Sequence, residues 1–260
     1  FAEKEFEGVD IYDVIQDKEL NYYFATDNGI FKHDGYSFIK IECEEMSGGS
    51  VFHFMMNKTG TIYCHNLNKQ VFQIKDNVCS LVYTIPDTGN DVDIIVTTDN
   101  NLLISSSRNI YILNTRNQLI LSTNFGPTRY FNAPFNINNE KTIIHESGTN
   151  DFWVYEKGKL ISTKLTLDKS GQSPSIETLH FYRANGKNYA IDNSNKKVYQ
   201  INENTLFLKY ITTLNWKPTT ANVRFYGVGD HVWMASNVSG VVKISSDFEV
   251  IENPVKLFSD

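Results

Sequence analysis

A step of about 40 residues runs through the chain. The stretch "DKELNYYFATDNGIFKHD", from Asp17, is matched by "NKTGTIYCHNLNKQVFQI" from Asn57 and by "DNNLLISSSRNIYIL" from Asp99. Looser copies are "NEKTIIHESGTNDFWVY" from Asn139, "NGKNYAIDNSNKKVYQI" from Asn185 and "GDHVWMASNVSGVVKI" from Gly229. Their landmarks are Tyr23, Tyr63, Leu103, Ile144, Tyr189 and Trp233, spaced by 40, 40, 41, 45 and 44 residues. A fixed period constrains a fold more tightly than any local propensity. Each copy must be one unit that cannot bury its faces alone and so packs on its neighbours.

Each period has the same interior. An apolar run comes first, as in "VDIYDVIQD", "SVFHFMM", "DVDIIVTT", "YFNAPFNI", "SIETLHFY" and "NVRFYGV". The landmark strand, a polar turn and an alternating strand such as "GIFKHD" or "GVVKIS" follow. A last run closes the unit: "SFIKIE", "SLVYTI", "LILST", "LISTKL", "LFLKYI" and "FEVIEN". Four short antiparallel strands in one such period describe a β-propeller blade. The expected fold is therefore all-β, one propeller domain over residues 1–260, with four-stranded antiparallel blades near 11–45, 50–86, 91–123, 129–167, 175–212 and 221–253. That is six blades within the chain; a seventh would need residues beyond Asp260. Residues 1–10 read as a leading strand that completes the outer edge of the last blade. No segment sustains a helical spacing of apolar residues without a Gly, Pro or β-branched cluster.

Charge and composition exclude some functions. The net charge of −6, with no Lys/Arg-rich run, is unfavourable for nucleic acid. No apolar stretch approaches the roughly 18 to 20 residues that span a bilayer. Aromatics at 13% agree with a strand-rich chain. The three cysteines, Cys43, Cys64 and Cys79, are an odd number without metal-ligand spacing. They read as buried or half-buried thiols rather than a disulfide framework, and they leave the compartment open.

The first period, "VIQDKELNYYFATDNGIFKHDGYSF", resembles the two-component regulator propeller repeat. Gln16, Asp17, Phe24, Ala25, Thr26, Gly29, Asp34 and Gly35 fit that pattern, while Leu20 stands where the family has Gly and Tyr23 where it has Trp. Gly60 and Trp233 carry partial matches in the second and sixth periods. The resemblance implies the extracytoplasmic, periplasmic sensor region of a bacterial histidine kinase. It also implies a signal peptide before Phe1, and a membrane span and signalling domains after Asp260. Membrane contact would come only through those segments.

Catalytic signatures are weak. The turn before the landmark is superficially similar to the Asp-box hairpin of sialidases, which is structural. The five arginines, Arg108, Arg116, Arg129, Arg183 and Arg224, show no sialidase motif. His33, His53, His65, His145, His180 and His231 form no metal-binding pattern, so neither metal nor cofactor is expected. His53 and His180 fall on inner-strand runs, where hydrogen-bonded strand histidines are the favoured reading. Gly227-Val228-Gly229 reads as a turn, and Asn57-Lys58-Thr59 and Asn237-Val238-Ser239 as chance sequons.

What remains is the propeller's concave mouth, where ligand pockets tend to lie. The residues assigned to it are Tyr12, Phe52, Arg129, Tyr130, His180, Tyr182, Arg183, Arg224 and Tyr226, with Asp91 and Asp93 beside them. Tyrosines offer faces to sugars or aromatic rings, and arginines offer forks to carboxylates. The expectation is a non-catalytic sensor that binds a small molecule or oligosaccharide and can pair as a homodimer. The alternatives are a protein-interaction scaffold and a polysaccharide-active enzyme.

Overall fold

Every landmark residue lies within the second strand of an antiparallel meander, and all but Ile144 have a register partner on both sides. The computed structural model describes residues 7–86, 92–126, 131–146, 149, 151–167, 174, 179–215, 223–228, 231–236, 240–245 and 247–249. Among them there is no helix, and the strands form six sheets. The first sheet holds β1 (Ile11–Gln16), β2 (Tyr22–Thr26), β3 (Gly29–His33) and β4 (Phe38–Ile41) in chain order. The second holds β5 (Val51–Met56), β6 (Ile62–Asn66), β7 (Gln70–Lys75) and β8 (Val78–Thr84). The third holds β9 (Val92–Val96), β10 (Leu102–Ser106), β11 (Asn109–Leu113) and β12 (Leu119–Asn124).

The fourth sheet runs β13 (Phe135–Asn136), β14 (Lys141–His145), β15 (Asp151–Glu156), β16 (Lys159–Lys164). In the fifth, β17 (Thr166–Leu167) lies parallel to the last strand of the meander β18 (Leu179–Ala184), β19 (Lys187–Asp192), β20 (Lys197–Ile201), β21 (Phe207–Thr213). The sixth holds β22 (Val223–Val228), β23 (His231–Ser236) and β24 (Gly240–Ile244). The chain divides into two compact units, Phe1–Pro134 and Phe135–Asp260.

Within each unit the middle strands bury both faces. On β6 and β7, Ile62, Cys64, Phe72 and Ile74 join Tyr23, Ala25 and Ile30 of the first sheet. The opposite face of the same strands sends Tyr63 and Val71 into a second layer with Leu102, Ile104, Tyr111 and Leu113 of the third. The second unit repeats this: Ala190, Tyr199 and Ile201 pack toward the fourth sheet, while Tyr189, Ile191 and Val198 pack toward the sixth. A strand buried on both faces loses the alternation of a half-solvated strand, and β6, β10 and β11 are buried at every residue. First strands of successive sheets are brought together, β1 against β5, β5 against β9, and β18 against β22.

The turns before the first two landmarks are closed by their first residue. Asp17 Oδ1 accepts from the amides of Glu19 and Asn21 at 3.0 and 2.9 Å, and Asn57 Oδ1 accepts from those of Thr59 and Thr61 at the same distances. Such side-chain closure is why Asp and Asn recur there. Asn57 is thereby buried and engaged, which removes its sequon from the surface. The lysine that follows reaches the next sheet: Lys18 Nζ donates to the Lys58 carbonyl at 3.0 Å, and Lys58 Nζ to that of Thr98 at 2.7 Å. The fourth turn residue is left-handed in three copies, with φ of 67° at Leu20, 89° at Gly60 and 67° at Asn100. Leu20 adopts this conformation with a side chain that is exposed.

Four expectations need correction or fall outside the structure. Cys43 and Cys79 form a disulfide with a Cα–Cα distance of 5.0 Å, and only Cys64, which is buried, is free. The two partners lie 36 residues apart and meet because both pack beside the apolar layer between the first and second sheets. In the chain-entropy account a loop of that length adds about 4 kcal/mol. The first strand of the fourth sheet is also shorter than the run "YFNAPFNI" suggests: Phe131 makes an isolated bridge, Pro134 has no amide to donate, and the strand itself starts at Phe135. Residues 7–10 hold no strand, and 1–6 lie outside the described residues. The run "FEVIEN" begins with a turn at Ser245–Glu249, and the rest of it is likewise undescribed.

Leu20→Gly tests the backbone reading. A left-handed residue with a Cβ costs roughly 1–2 kcal/mol, and glycine's extra entropy returns about 0.5–1. The variant is expected to gain about 0.5–1 kcal/mol, read as a higher urea midpoint at unchanged slope.

Candidate functional site

Two inner strands of the first unit are irregular, and the irregularities aim side chains. In β1 the register shifts between Ile11 and Asp13, leaving Tyr12 as the extra residue. In β5 it shifts between Phe52 and Met55, and His53 sits there at φ 52°. A non-glycine residue held in that region costs of order 1–3 kcal/mol and persists only where its surroundings demand it. Bulges re-aim side chains beside functional sites for this reason.

The result is a compact group on β1, β5, β6 and β9. Tyr12 stacks on Phe52 with centroids 4.6 Å apart and planes at 27°, and the Phe52 ring lies 5.8 Å from that of His65. His53 Nδ1 is 3.1 Å from His65 Nε2 and 3.4 Å from Asp93 Oδ1. The side chains of His53 and Asp93 keep 21% and 26% of their surface exposed, whereas His65 is buried. Asp13 Oδ2 accepts from the Phe54 amide at 2.8 Å, which ties the first sheet to the bulge of the second. Asp13, His53 and Asp93 are spaced by 40 residues each, so equivalent points of three successive periods carry the sheet-to-sheet links. Chemically, the group offers an aromatic face, a titratable imidazole and a carboxylate on one half-exposed surface.

The assigned residues are divided by the structure. Tyr12 and Phe52 come together, with Asp93 close by. His180 is half-buried on β18. Tyr182 is buried in the layer between the fifth and sixth sheets and stacks on Tyr189 at 5.3 Å, and burial pushes its hydroxyl pKa up. Arg183 donates from Nε to Asn188 Oδ1 at 2.9 Å and from Nη2 to the Ile137 carbonyl, so its fork clamps the fourth sheet to the fifth. Arg224 and Tyr226 lie on β22, opposite Ala235 and Trp233. Arg129, Tyr130 and Asp91 lie outside the described residues. His65 and Asp13 are not singled out by the sequence reading. The signals that mark them are the two-residue offset of His65 from Tyr63 and the shared spacing of Asp13, His53 and Asp93.

Among the described residues no group of three or more His, Cys, Asp or Glu side chains converges in a metal-binding arrangement. A cavity of about 580 Å³ lies instead at the outer strands, lined by Lys32, Lys40, Glu44, Val78 and the disulfide partner Cys79. Lys32 is already engaged there with Asn77 Oδ1 at 2.9 Å. The inner-strand group is the better candidate, since it combines backbone strain with an exposed aromatic face.

No family model and no curated protein matches the sequence. Solved structures do match in shape. A catalytically inactive variant of virginiamycin B lyase from Staphylococcus aureus, solved with quinupristin, aligns over 96% of this chain and 85% of its own at TM-score 0.76 and 11% identity. The RRP9 WD40 repeats align over 95% and 83% at TM-score 0.65 and 11% identity. The fold is a β-propeller of antiparallel blades. The extracellular domain of BT3049 from B. thetaiotaomicron, described as a hybrid two-component system, aligns over 95% of this chain at TM-score 0.63 and 16% identity. This chain spans about a third of that domain, 36% of its length.

Two side chains of this propeller lend themselves to direct tests. Ser105, opposite Asp93 across β9 and β10, is 2% exposed, and its hydroxyl makes no hydrogen bond. An unsatisfied buried hydroxyl costs about 1–3 kcal/mol, so Ser105→Ala is expected to raise stability by about 1 kcal/mol in urea denaturation. His145, in the second unit, is buried against Phe152 with ring centroids 4.7 Å apart, and its Nε2–H donates to the Thr149 carbonyl at 2.9 Å. Burial lowers its pKa, and the Thr149 bond opposes that only in part. Below the ordinary imidazole value of about 6.5 the unfolded chain takes up a proton that folded His145 resists. Stability should therefore fall as pH drops below about 6.5 and be unaffected by this group above it. His145→Gln should flatten that acid limb in pH-dependent urea melts.

Proposed function

We propose that this propeller is a non-catalytic, extracytoplasmic ligand-binding region of a two-component sensor protein, and that its ligand docks on the Tyr12–Phe52 stack beside His53 and Asp93. The observation that carries the reading is that half-exposed aromatic pair, set on two bulged inner strands next to a polar imidazole–carboxylate contact. Two further observations support it. The extracellular domains of BT3049 and BT4673, both described as hybrid two-component systems, share the fold. The Cys43–Cys79 disulfide fits an oxidising compartment. A small polar molecule or oligosaccharide with one flat apolar face suits the surface, because the stack covers that face while His53 and Asp93 hydrogen-bond its polar edge. Signal output then follows from a difference in ligand affinity between two states of the sensor.

A second reading, polysaccharide-active catalysis, draws on the pairing of His53 with His65 and Asp93. One experiment separates the two. Oligosaccharides and small acids are screened by thermal shift, and each hit is measured by calorimetry and assayed for turnover. Binding without turnover, weakened about tenfold (about 1.4 kcal/mol) by Tyr12→Ala, is the expected result. Turnover abolished by His53→Gln would replace the sensor reading with the enzymatic one. Ligand binding indifferent to Tyr12→Ala and Phe52→Ala would remove the site.

A further inference from the structure

The contact between His53 and His65 fixes where its protons are. A carboxylate only accepts, so the His53 nitrogen that faces Asp93 Oδ1 at 3.4 Å, Nδ1, carries the hydrogen. The same N–H points at His65 Nε2, 3.1 Å away, which must present a lone pair. His65 therefore holds its proton on Nδ1, 3.5 Å from the Asn66 carbonyl. Three groups from three strands, β5, β6 and β9, thus converge on His53 Nδ1, which bonds His65 and faces Asp93.

Adding a proton to His53 at its other nitrogen leaves this arrangement intact and places an imidazolium beside the Asp93 carboxylate, which favours it. Adding one to His65 cannot, because Nε2 would then turn an N–H against the N–H of His53. We propose that His53, His65 and Asp93 form a proton-linked latch between the second and third sheets, tightened by the first proton taken up and opened by the second. When it opens, the His65 bond that meets His53 at its left-handed bulge position is lost, and the His65 ring 5.8 Å from that of Phe52 is no longer fixed. The proposal concerns the unliganded propeller and stands whichever ligand the surface takes.

Other titratable groups on the strands packed against this pair do not account for such a switch. On β1, Asp13 is held by the amides of Val14 and Phe54, at 2.8 Å each, and Tyr12 is stacked on Phe52. On β2, Tyr22 is exposed and Tyr23 is pushed up to about 12 by burial, with the Asp17 charge adding to it. On β6, burial raises both Tyr63 and Cys64, so these stay neutral through the acid range. On β7, Lys75 pairs at the far end of the strand with Val78, and on β9 Asp93 belongs to the latch itself.

The test is a pH titration of the intact chain by two-bond nitrogen–proton correlation NMR, which reports the tautomer and charge of each imidazole. At neutral pH both His53 and His65 should show the proton on Nδ1. On acidification they should titrate as a coupled pair in two steps separated by more than about one pH unit, with the upper step on His53. Ring signals of Phe52 should move with the lower step. His65→Gln should leave a single His53 step, and Asp93→Asn should lower the upper midpoint. Two independent titrations near the ordinary value of about 6.5, or Nε2 tautomers on both rings at neutral pH, would overturn the proposal.

Discussion

The middle strands of the second sheet have no face to give to water. Phe72 and Ile74 press toward one neighbouring sheet while Val71, next to Phe72 in sequence, presses toward the other. A four-stranded sheet built this way is unstable alone, since a water-exposed face would leave a layer of Ile, Phe and Tyr unburied. Stacking of successive sheets is thus forced before any turn or hydrogen bond is considered. The polar devices then set how the stacked sheets register. Asp17 and Asn57 close equivalent turns, and Lys18 and Lys58 each reach a backbone carbonyl of the next sheet.

Regularity in the middle strands leaves chemistry to the inner ones. β2 and β6 pair in even register with their third strands, whereas β1 and β5 each carry a shift. An extra residue in a strand breaks the alternation of faces, so Tyr12 and His53 point where an ordinary strand residue would not. His53 takes a costly backbone conformation and is met by His65 and Asp93. The links at Asp13 and His53 also join successive sheets, so the same side chains that build the surface hold the blades together.

Much of the architecture was legible. The spacing of Tyr23, Tyr63, Leu103, Ile144, Tyr189 and Trp233 located the second strand of every sheet, because burial on both sides demands an apolar residue there whatever the surrounding turns do. Tyr12 and Phe52 were legible as aromatic residues on inner strands. Tyr182 and Arg183 were placed on the right strand but with the wrong surroundings. Period-two alternation says that neighbours point to opposite faces, not which face is covered: Tyr182 went into the core and Arg183 to the Ile137 carbonyl. His65 escaped because its partner His53 is brought to it by a bulge that no residue pattern announces.

The linear order of residues thus determined the repeating unit, its strands and its two apolar faces, since these follow from side-chain period and turn chemistry within about 40 residues. Only the folded chain decided that Cys43 meets Cys79, that His53 meets His65 and Asp93, and that Arg183 serves a backbone carbonyl. These contacts join residues of different strands or sheets. Their distances depend on how the sheets stack and where a strand bulges, which no local stretch of sequence encodes.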